Sequence, residues 1–182
     1  QALGLSDVVC DISGPRGTLA GSDSSLTDHW RERGLLEVFK SDMEDRVRDP
    51  SIVRPSALPV EEHMDSYVGR STLDFIESYE RPQPFCLFVG FPGPHEPWDA
   101  PGEYATMYDP AKTPPPIERS EWPPSSVVPE YIKTKSDLQP RPKSGLSRAT
   151  IQAIRANYYG KISLIDHWIG RILDALEAKG LL

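Results

Sequence analysis

The sequence predicts an α/β protein in which helices pack on a mostly parallel sheet. The main observation is the run at 85–91, Phe-Cys-Leu-Phe-Val-Gly-Phe, which is apolar at consecutive positions and is followed by Pro92. Such a run is typical of a strand that is buried on both faces. A second, weaker strand is predicted over 6–12, which is partly β-branched. Strand patterns that alternate with helix patterns favour the α/β class.

The clearest helix is predicted near the end of the chain. Apolar residues recur there every three or four positions, which predicts a long amphipathic helix with one wide apolar face. Ser147 is expected to cap its N-terminus and Gly180 its C-terminus. The recurring residues are Ile151, Ile154, Tyr158, Ile162, Ile165, Ile169, Ile172, Leu173 and Leu176.

Another helix is predicted from Ser25, because Ser25 and Asp28 have the spacing of a capping box. It is expected to bury Leu26 and Trp30. Gly34 is expected to mark its end, since glycine commonly follows the last helical turn.

Between and beyond these elements the sequence predicts one more helix and two loop regions. Acidic residues in the first turn and helical spacing favour a helix over 61–79. The charged and proline-punctuated stretch 41–60 is predicted to be surface loop. Most of the 19 prolines fall in 92–145. That region also contains many aromatic residues, so we expect a long ordered loop rather than a disordered linker.

Composition excludes several classes of function. The net charge is −7, which disfavours binding to nucleic acid or to an anionic membrane surface. No apolar stretch approaches the roughly 20 residues that cross a bilayer. Cys10 and Cys86 are expected to be structural thiols without a disulfide, with Cys86 buried in its apolar run. The sequence leaves the compartment of a soluble protein open, between cytoplasm and periplasm.

His95 is the main candidate for a functional side chain. It follows the predicted strand 85–91, and open α/β sheets place ligands at the carboxyl ends of their strands. Pro94 and Pro97 restrict the backbone around it. An imidazole there could give a proton to a leaving oxygen or bind an anion, although a loop histidine that merely packs is the alternative.

Other polar residues are weaker candidates. Arg16, within Gly14-Pro15-Arg16-Gly17, could hold an anion, although a surface arginine is the commoner case. Asp166 falls near the apolar face of the last helix, where a carboxylate needs a structural partner. The remaining histidines are expected to be partly exposed: His29, His63 and His167.

Two segments together resemble the sulfatase family of the alkaline-phosphatase superfamily. The first is the run 84–91 followed by Pro94-His95-Glu96-Pro97-Trp98, which is similar to that family's apolar strand and Pro-His-x-Pro turn. The second is 158–173, Tyr-Tyr-Gly-Lys-Ile-Ser-Leu-Ile-Asp-His-Trp-Ile-Gly-Arg-Ile-Leu, which resembles the long helix before the family's second metal-binding strand. The stretch 104–116 looks closer to the branch with phosphonate monoester hydrolases and arylsulfatases.

The resemblance implies a partial alkaline-phosphatase-like fold, with the whole chain, 1–182, as the central portion of a sulfatase domain. By position, His95 would be the catalytic histidine that contacts the sulfate ester, and His95 and Trp98 would bind substrate. Asp166 matches a structural position. The expected substrate is a small sulfate or phosphonate ester.

The departures from the family pattern are as informative. Neither Cys10 nor Cys86 begins the Cys-x-Pro-Ser/Ala-Arg motif from which the family makes formylglycine. The family's metal ligands are also absent, so we expect no metal site in this chain. The formylglycine and a calcium-like divalent cation would belong to a longer parent enzyme. The chain by itself is therefore expected to be catalytically silent.

The sequence is consistent with three hypotheses about function. The chain is expected to be a fragment of a sulfatase-type hydrolase that cleaves sulfate esters. The alternatives are a phosphonate or phosphate ester hydrolase of the same superfamily, or a non-catalytic scaffold or interaction domain. Because the chain stops at Leu182, directly after a helix cap, we also expect exposed apolar edges and self-association through them.

Overall fold

The fold is built from helices joined by long irregular segments. The computed structural model describes residues 9–115 and 146–182. In these ranges it has five α-helices: α1 Pro15–Leu19, α2 Ser25–Glu32, α3 Leu36–Arg48, α4 Met64–Ser78 and α5 Arg148–Ala178. Short 3-10 turns lie at Val60–Glu62, Gly102–Ala105 and Pro110–Lys112.

The prediction of an α/β fold with a mostly parallel sheet is wrong for the described part of the chain. The β pairing found there is one isolated parallel bridge, between Val53 and Trp98. Residues 9–12, the described part of the predicted strand 6–12, also lie outside any strand. Helices, not strands, therefore make the core.

The apolar run 85–91 shows why the strand prediction failed. It has no partner strand among the described residues, and its residues alternate between half-buried and exposed. Phe85 packs edge-on against Phe75 of α4, with ring centroids 5.3 Å apart, whereas Phe88 is 83% exposed. Cys86 is exposed as well, which contradicts its predicted burial, although both cysteines are free as expected. One face of the run is thus covered by α4 and the other is open.

The helix predicted from Ser25 is confirmed, with a shift of one residue in its cap. Ser24 caps α2: its Oγ accepts from Thr27 N at 3.2 Å, and Thr27 Oγ1 accepts from Ser24 N at 2.7 Å. Leu26 and Trp30 are fully buried, as predicted. The chain leaves the helix at Gly34, which has a φ of 71°.

The prediction of a surface loop over 41–60 is wrong in its first half. Residues 41–48 belong to α3, which buries Phe39 and Met43. Glu44, Asp45 and Arg48 lie on the exposed face of this helix, whereas Asp42 and Arg46 pair with each other on its inner side. The buried positions keep helical spacing, so the pattern was present but was masked by the local charge density.

The helices predicted over 61–79 and 147–180 are confirmed as α4 and α5. Ser147 caps α5 by accepting from Thr150 N at 3.0 Å, and Gly180 follows the helix with a φ of 67°. Although α5 has 31 residues, none of the helices in the described ranges combines the length and apolar content that crossing a membrane requires.

The packing of α5 depends on two glycines that allow close approach. Gly69 of α4 faces Trp168, and a Cβ there would overlap the indole ring. Gly160 of α5 lies against the backbone carbonyl of Tyr104, which a Cβ would also overlap. Trp168 further donates from Nε1 to Ser66 Oγ at 3.1 Å. These contacts join α4, α5 and the turn Gly102–Ala105 into one layer.

Two apolar clusters fill the interior. The first lies between α2, α3 and the start of α4, and the second between α4, α5 and the turn Gly102–Ala105. The first contains Leu26, Trp30, Leu36, Phe39, Met43, Leu58 and Met64. The second contains Leu73, Ala100, Tyr104, Leu164 and Trp168.

The expected order of the Pro-rich region 92–145 can be compared with the structure only for 92–115. Residues 92–115 carry two 3-10 turns and are buried at 99–101, Tyr104 and Thr113, and 116–145 lies outside the described residues. On α5, Ile162, Ile169 and Leu173 are each more than two-fifths exposed. The self-association expected from such apolar surfaces stays a prediction.

Gly160→Ala should destabilise the chain, because the added methyl overlaps the Tyr104 carbonyl. Overpacking of this kind costs about 1–3 kcal/mol of unfolding free energy. Gly170→Ala is the matched control, since it lies in the same helix with open space around it. That change should stabilise by about 0.5–1 kcal/mol through helix propensity. Urea unfolding followed by circular dichroism measures both, and equal effects of the two substitutions would contradict the close approach.

Candidate functional site

His95 lies in a tight turn that follows the apolar run, at the position the sequence indicated. Residues 92–98 form this turn, which has cis peptide bonds at Gly93–Pro94 and Glu96–Pro97. The imidazole is 72% exposed. It is therefore a solvent-facing side chain on a turn, and not a packed core histidine.

One ring nitrogen of His95 makes polar contacts with the next residue, Glu96. Nδ1 lies 2.9 Å from the backbone carbonyl oxygen of Glu96 and 3.1 Å from Glu96 Oε2. Because both of these oxygens are acceptors, Nδ1 must carry the proton that is shared with them. Nε2 has no hydrogen-bond partner among the described residues, so it is the nitrogen left to meet a ligand.

His95 borders a cavity of about 690 Å³, within the size range of small-molecule sites. The turn contributes His95 and Trp98 to its wall, and the start of α1 contributes Arg16. On the remaining sides it meets the end of α3 and Ile154 of α5. The structure thus brings together around one cavity the histidine, the tryptophan and the arginine that the sequence singled out separately.

Hydrogen bonds hold both the indole and the backbone of Trp98 in place. Its Nε1 donates to the carbonyl of Pro50 at 2.7 Å, and its own carbonyl accepts from Arg46 Nη1 at 2.9 Å. Its ring lies 6.3 Å from that of Tyr158 on α5. Because both the indole and the backbone of Trp98 are bonded, this wall of the cavity is rigid.

Arg46, which the sequence analysis missed, is the support behind this wall. Only 3% of it is exposed, and its guanidinium also donates to the carbonyls of Arg54 and Pro55 at 3.1 and 2.9 Å. Asp42, one helical turn earlier, balances its charge at 3.2 Å. The i, i+4 spacing of Asp42 and Arg46 was the available signal.

Beneath the turn, a buried lysine reaches the backbone on both sides of Glu96. Lys161 of α5 is 3% exposed. Its Nζ donates to the carbonyl of His95 at 3.0 Å, to that of Pro97 at 3.1 Å and to Asp99 Oδ1 at 3.0 Å. These three bonds use every proton of the ammonium.

The beginning of the turn is bonded to α4 in a complementary way. Asp65, which is fully buried, accepts at Oδ1 from the backbone N–H of Gly93 at 2.8 Å. A Cβ at Gly93 would lie only 2.5 Å from Asp65 Oδ2, so glycine is required there. His63 lies between the two aspartates, with Nδ1 3.4 Å from Asp65 Oδ2 and Nε2 3.7 Å from Asp99 Oδ1.

Asp99 remains ionised inside the protein because the ammonium of Lys161 lies beside it. Burial raises the pKa of its carboxyl group, but the attraction of Lys161, aided by His63, outweighs burial and leaves the pKa below its ordinary value. The cluster of Lys161, Asp99, His63 and Asp65 is thus a buried network that carries charges of both signs.

This network does not fit a divalent metal ion. No group of three or more His, Cys, Asp or Glu side chains in the described ranges is arranged to hold one. The two carboxylates that flank His63, Asp65 and Asp99, are already bonded to Gly93 and Lys161. A metal ion here would have to displace the lysine ammonium, so we derive no chemical step through a metal in this chain.

The structure corrects two expectations about polar residues. His63 is 2% exposed and not a surface residue, since it fills the space between two buried carboxylates. Asp166 lies on the exposed side of α5 and so needs no buried partner. His167 is exposed, and His29 is partly exposed and pairs with Glu62 at 2.7 Å, as expected of surface histidines.

Comparison with known proteins identifies the family to which the chain belongs. The family model described as Sulfatase matches residues 22–182. The chain belongs to the sulfatase family. That match includes the His95 turn, Trp98 and both helices that hold the turn from below.

Two curated relatives are similar over part of their length. An arylsulfatase from Clostridium perfringens (strain 13 / Type A) is 30% identical over 137 residues, which is 72% of this chain and 26% of the relative. A multifunctional alkaline phosphatase superfamily protein, PehA, from Trinickia caryophylli is 28% identical over 136 residues, 70% of this chain and 26% of that protein. The matched part of the chain thus spans about a quarter of the length of either relative.

Asp99→Asn should lower the free energy of unfolding at neutral pH, and this loss should be smaller at acidic pH. Removing one member of a buried ion pair costs about 3–5 kcal/mol. Because the pKa of Asp99 is lowered by folding, its contribution is present above the ordinary value of 3.8 and is lost as the pH falls below it. Urea unfolding at several pH values should therefore show the gap between the parent chain and Asp99→Asn narrowing below about pH 4.

Asp74→Asn, at an exposed position on α4, is the matched control. It should change stability little at any of these pH values. A gap for Asp99→Asn that stays constant down to pH 2 would contradict the charged state of Asp99.

Proposed function

We propose that this chain forms the leaving-group side of the active site of a sulfate ester hydrolase. In this proposal His95 contacts the sulfate ester and protonates the departing alcohol oxygen. Trp98 forms a wall for the alcohol part of the substrate, and Arg16 attracts the anion. The single observation that carries it is His95, on a turn held from below, with Nε2 open beside a cavity in a sulfatase-family chain.

The proposed chemistry uses the imidazolium form of His95, which carries a proton on each ring nitrogen, as a general acid. When the bond between sulfur and the alcohol oxygen breaks, that oxygen gains negative charge and takes the proton from Nε2. Nδ1 keeps its own proton and its contact with Glu96, which orients the ring throughout. The imidazole then recovers a proton from solvent.

The nucleophile is assigned to polypeptide outside this sequence. Neither cysteine lies in a Cys-x-Pro-Ser/Ala-Arg motif, and the described residues offer no cluster for a cation. The formylglycine and the divalent cation expected from the family would therefore be supplied by a longer protein that contains this chain. Our proposal for the chain itself is limited to binding, orientation and proton transfer.

A second candidate is hydrolysis of phosphonate or phosphate esters. It is favoured by the similarity to a relative named as a multifunctional member of the alkaline phosphatase superfamily. Sulfate and phosphonate monoesters are both tetrahedral anions that His95 and Arg16 could meet in the same way. The two candidates therefore differ in substrate preference and share one site.

The 182-residue chain should bind 4-nitrophenyl sulfate, and His95→Ala should weaken that binding about tenfold or more. A hydrogen bond to a charged group contributes about 1.5–3 kcal/mol, and 1.4 kcal/mol corresponds to a factor of ten in affinity. Chemical-shift titration by NMR measures the dissociation constant. The same titration with a 4-nitrophenyl phosphonate ranks the two candidate substrate classes.

His167→Ala is the matched control, because it removes an exposed imidazole that lies on α5. It should leave the affinity unchanged. Equal binding by the parent chain and His95→Ala would contradict the proposal and favour a non-catalytic scaffold or interaction domain.

In a longer polypeptide that carries both this chain and the formylglycine motif, His95→Ala should lower kcat for 4-nitrophenyl sulfate. General acid catalysis typically contributes about 10²–10⁴-fold. The loss should be smaller for a substrate with a more acidic leaving alcohol, because that alcohol needs less help from a proton. A loss that is the same for both leaving groups would argue against proton transfer by His95.

A further inference from the structure

We infer that Lys161 is the positioning residue of His95, an inference that rests on the proposed function and deepens it. Lys161 does not reach the cavity as a ligand would. Instead its ammonium binds the carbonyls of His95 and Pro97 from beneath the turn. It thereby fixes the backbone from which the imidazole projects.

The burial of Lys161 makes this assignment stronger than a surface contact would. A lysine that is 97% buried is unusual, since taking an ammonium out of water is costly. Asp99 alone could neutralise its charge. The other two protons nevertheless go to backbone carbonyls of the turn, at 3.0 and 3.1 Å.

The composition of the turn explains why it needs an external cation. Pro92, Pro94 and Pro97 have no backbone N–H, so the turn has few donors with which to bond its own carbonyls. Its donor at Gly93 is already given to Asp65. Lys161 supplies a donor to the His95 carbonyl, and it adds a second donor to the Pro97 carbonyl, which also accepts from the backbone N–H of Asp99 at 3.0 Å.

The test uses a variant that removes the clamp without leaving a charge buried. Lys161→Met alone would strand Asp99, so the chain could fail to fold. The double variant Lys161→Met/Asp99→Asn removes both charges together and keeps similar volumes. Cooperative urea unfolding and an unchanged α-helical circular dichroism spectrum establish that it is folded before it is used.

The first readout is a double-mutant cycle on the binding of 4-nitrophenyl sulfate. In the parent chain, His95→Ala should weaken binding about tenfold. In the double-variant background His95→Ala should cost less than about twofold, because a mispositioned imidazole contributes little. A purely structural role of Lys161 predicts the same tenfold cost in both backgrounds, and that result would overturn the inference.

The second readout needs no ligand. The ¹⁵N order parameters of the His95 and Glu96 amides should be near 0.85 in the parent chain and below about 0.6 in the double variant. Unchanged order parameters would overturn the inference. If the parent chain does not bind 4-nitrophenyl sulfate, the proposed function fails, and these order parameters decide the role of Lys161 on their own.

Lys179→Met is the matched control for both readouts. Lys179 follows the same helix and also donates to two backbone carbonyls, those of Glu77 and Tyr79, at 2.7 and 3.2 Å. It holds the end of α4, away from His95. Its loss should leave the order parameters of the turn and the cost of His95→Ala unchanged, and a change in either would assign the effect to α5 packing in general.

Discussion

The buried ion pair between Lys161 and Asp99 is the constraint on which the arrangement of the site depends. Asp99 directly follows Trp98 of the turn, and Lys161 lies 62 positions later on α5. Because neither charge could remain buried alone, the pair forces α5 to lie beneath the turn. The close approach of Gly160, the preceding residue, to the Tyr104 carbonyl places α5 at the distance this pairing requires.

Three helices each hold a different part of the turn, and the buried ion pair is one of these contacts. α4 holds the start of the turn through Asp65, and α5 holds its end through Lys161. α3 supports Trp98 from another side through Arg46. Each helix thus contributes one buried charged group that bonds to the backbone of residues 93–98. A rigid turn of this kind can present an exposed side chain in a defined direction, which is what a site needs from its scaffold.

Local signals predicted three of the five described helices, α2, α4 and α5, and they predicted the sheet wrongly, for a physical reason. The caps of α2 and α5 depend on residues within four positions, such as Ser24 or Ser147, and these can be read from the sequence. Whether the run 85–91 pairs as a strand depends on what lies beside it, and its described neighbours, α4 and the irregular residues 9–12, offer it no strand. A continuous apolar run shows that both faces of the segment are hydrophobic. It does not show which other segment would cover the second face.

The same distinction applies to the site. His95 and Trp98 could be found because the Pro-His-x-Pro turn and its neighbour are contiguous in the sequence. Lys161 was not found, although a lysine four residues after Asn157 and three before Leu164, both buried, interrupts the apolar face of α5. Asp166, which the sequence predicted near the apolar face, lies in solvent. Pairing a buried cation with its carboxylate requires knowledge of contacts between distant segments, and periodicity does not contain it.

The electrostatics of the cavity explain how an acidic chain could still receive an anion. The net charge is −7, yet two buried carboxylates around the turn are each paired with a cation: Asp42 with Arg46, and Asp99 with Lys161. Among the described residues that line the cavity, the acidic one is Glu96, whose Oε2 lies 3.1 Å from Nδ1 of His95. The guanidinium of Arg16 borders the same cavity and therefore influences the local field more than distant surface charges, because exposed charges more than about 10 Å away are screened by salt. A substrate anion would meet this local field only after crossing a repulsive surface, so net charge opposes its approach more than its binding.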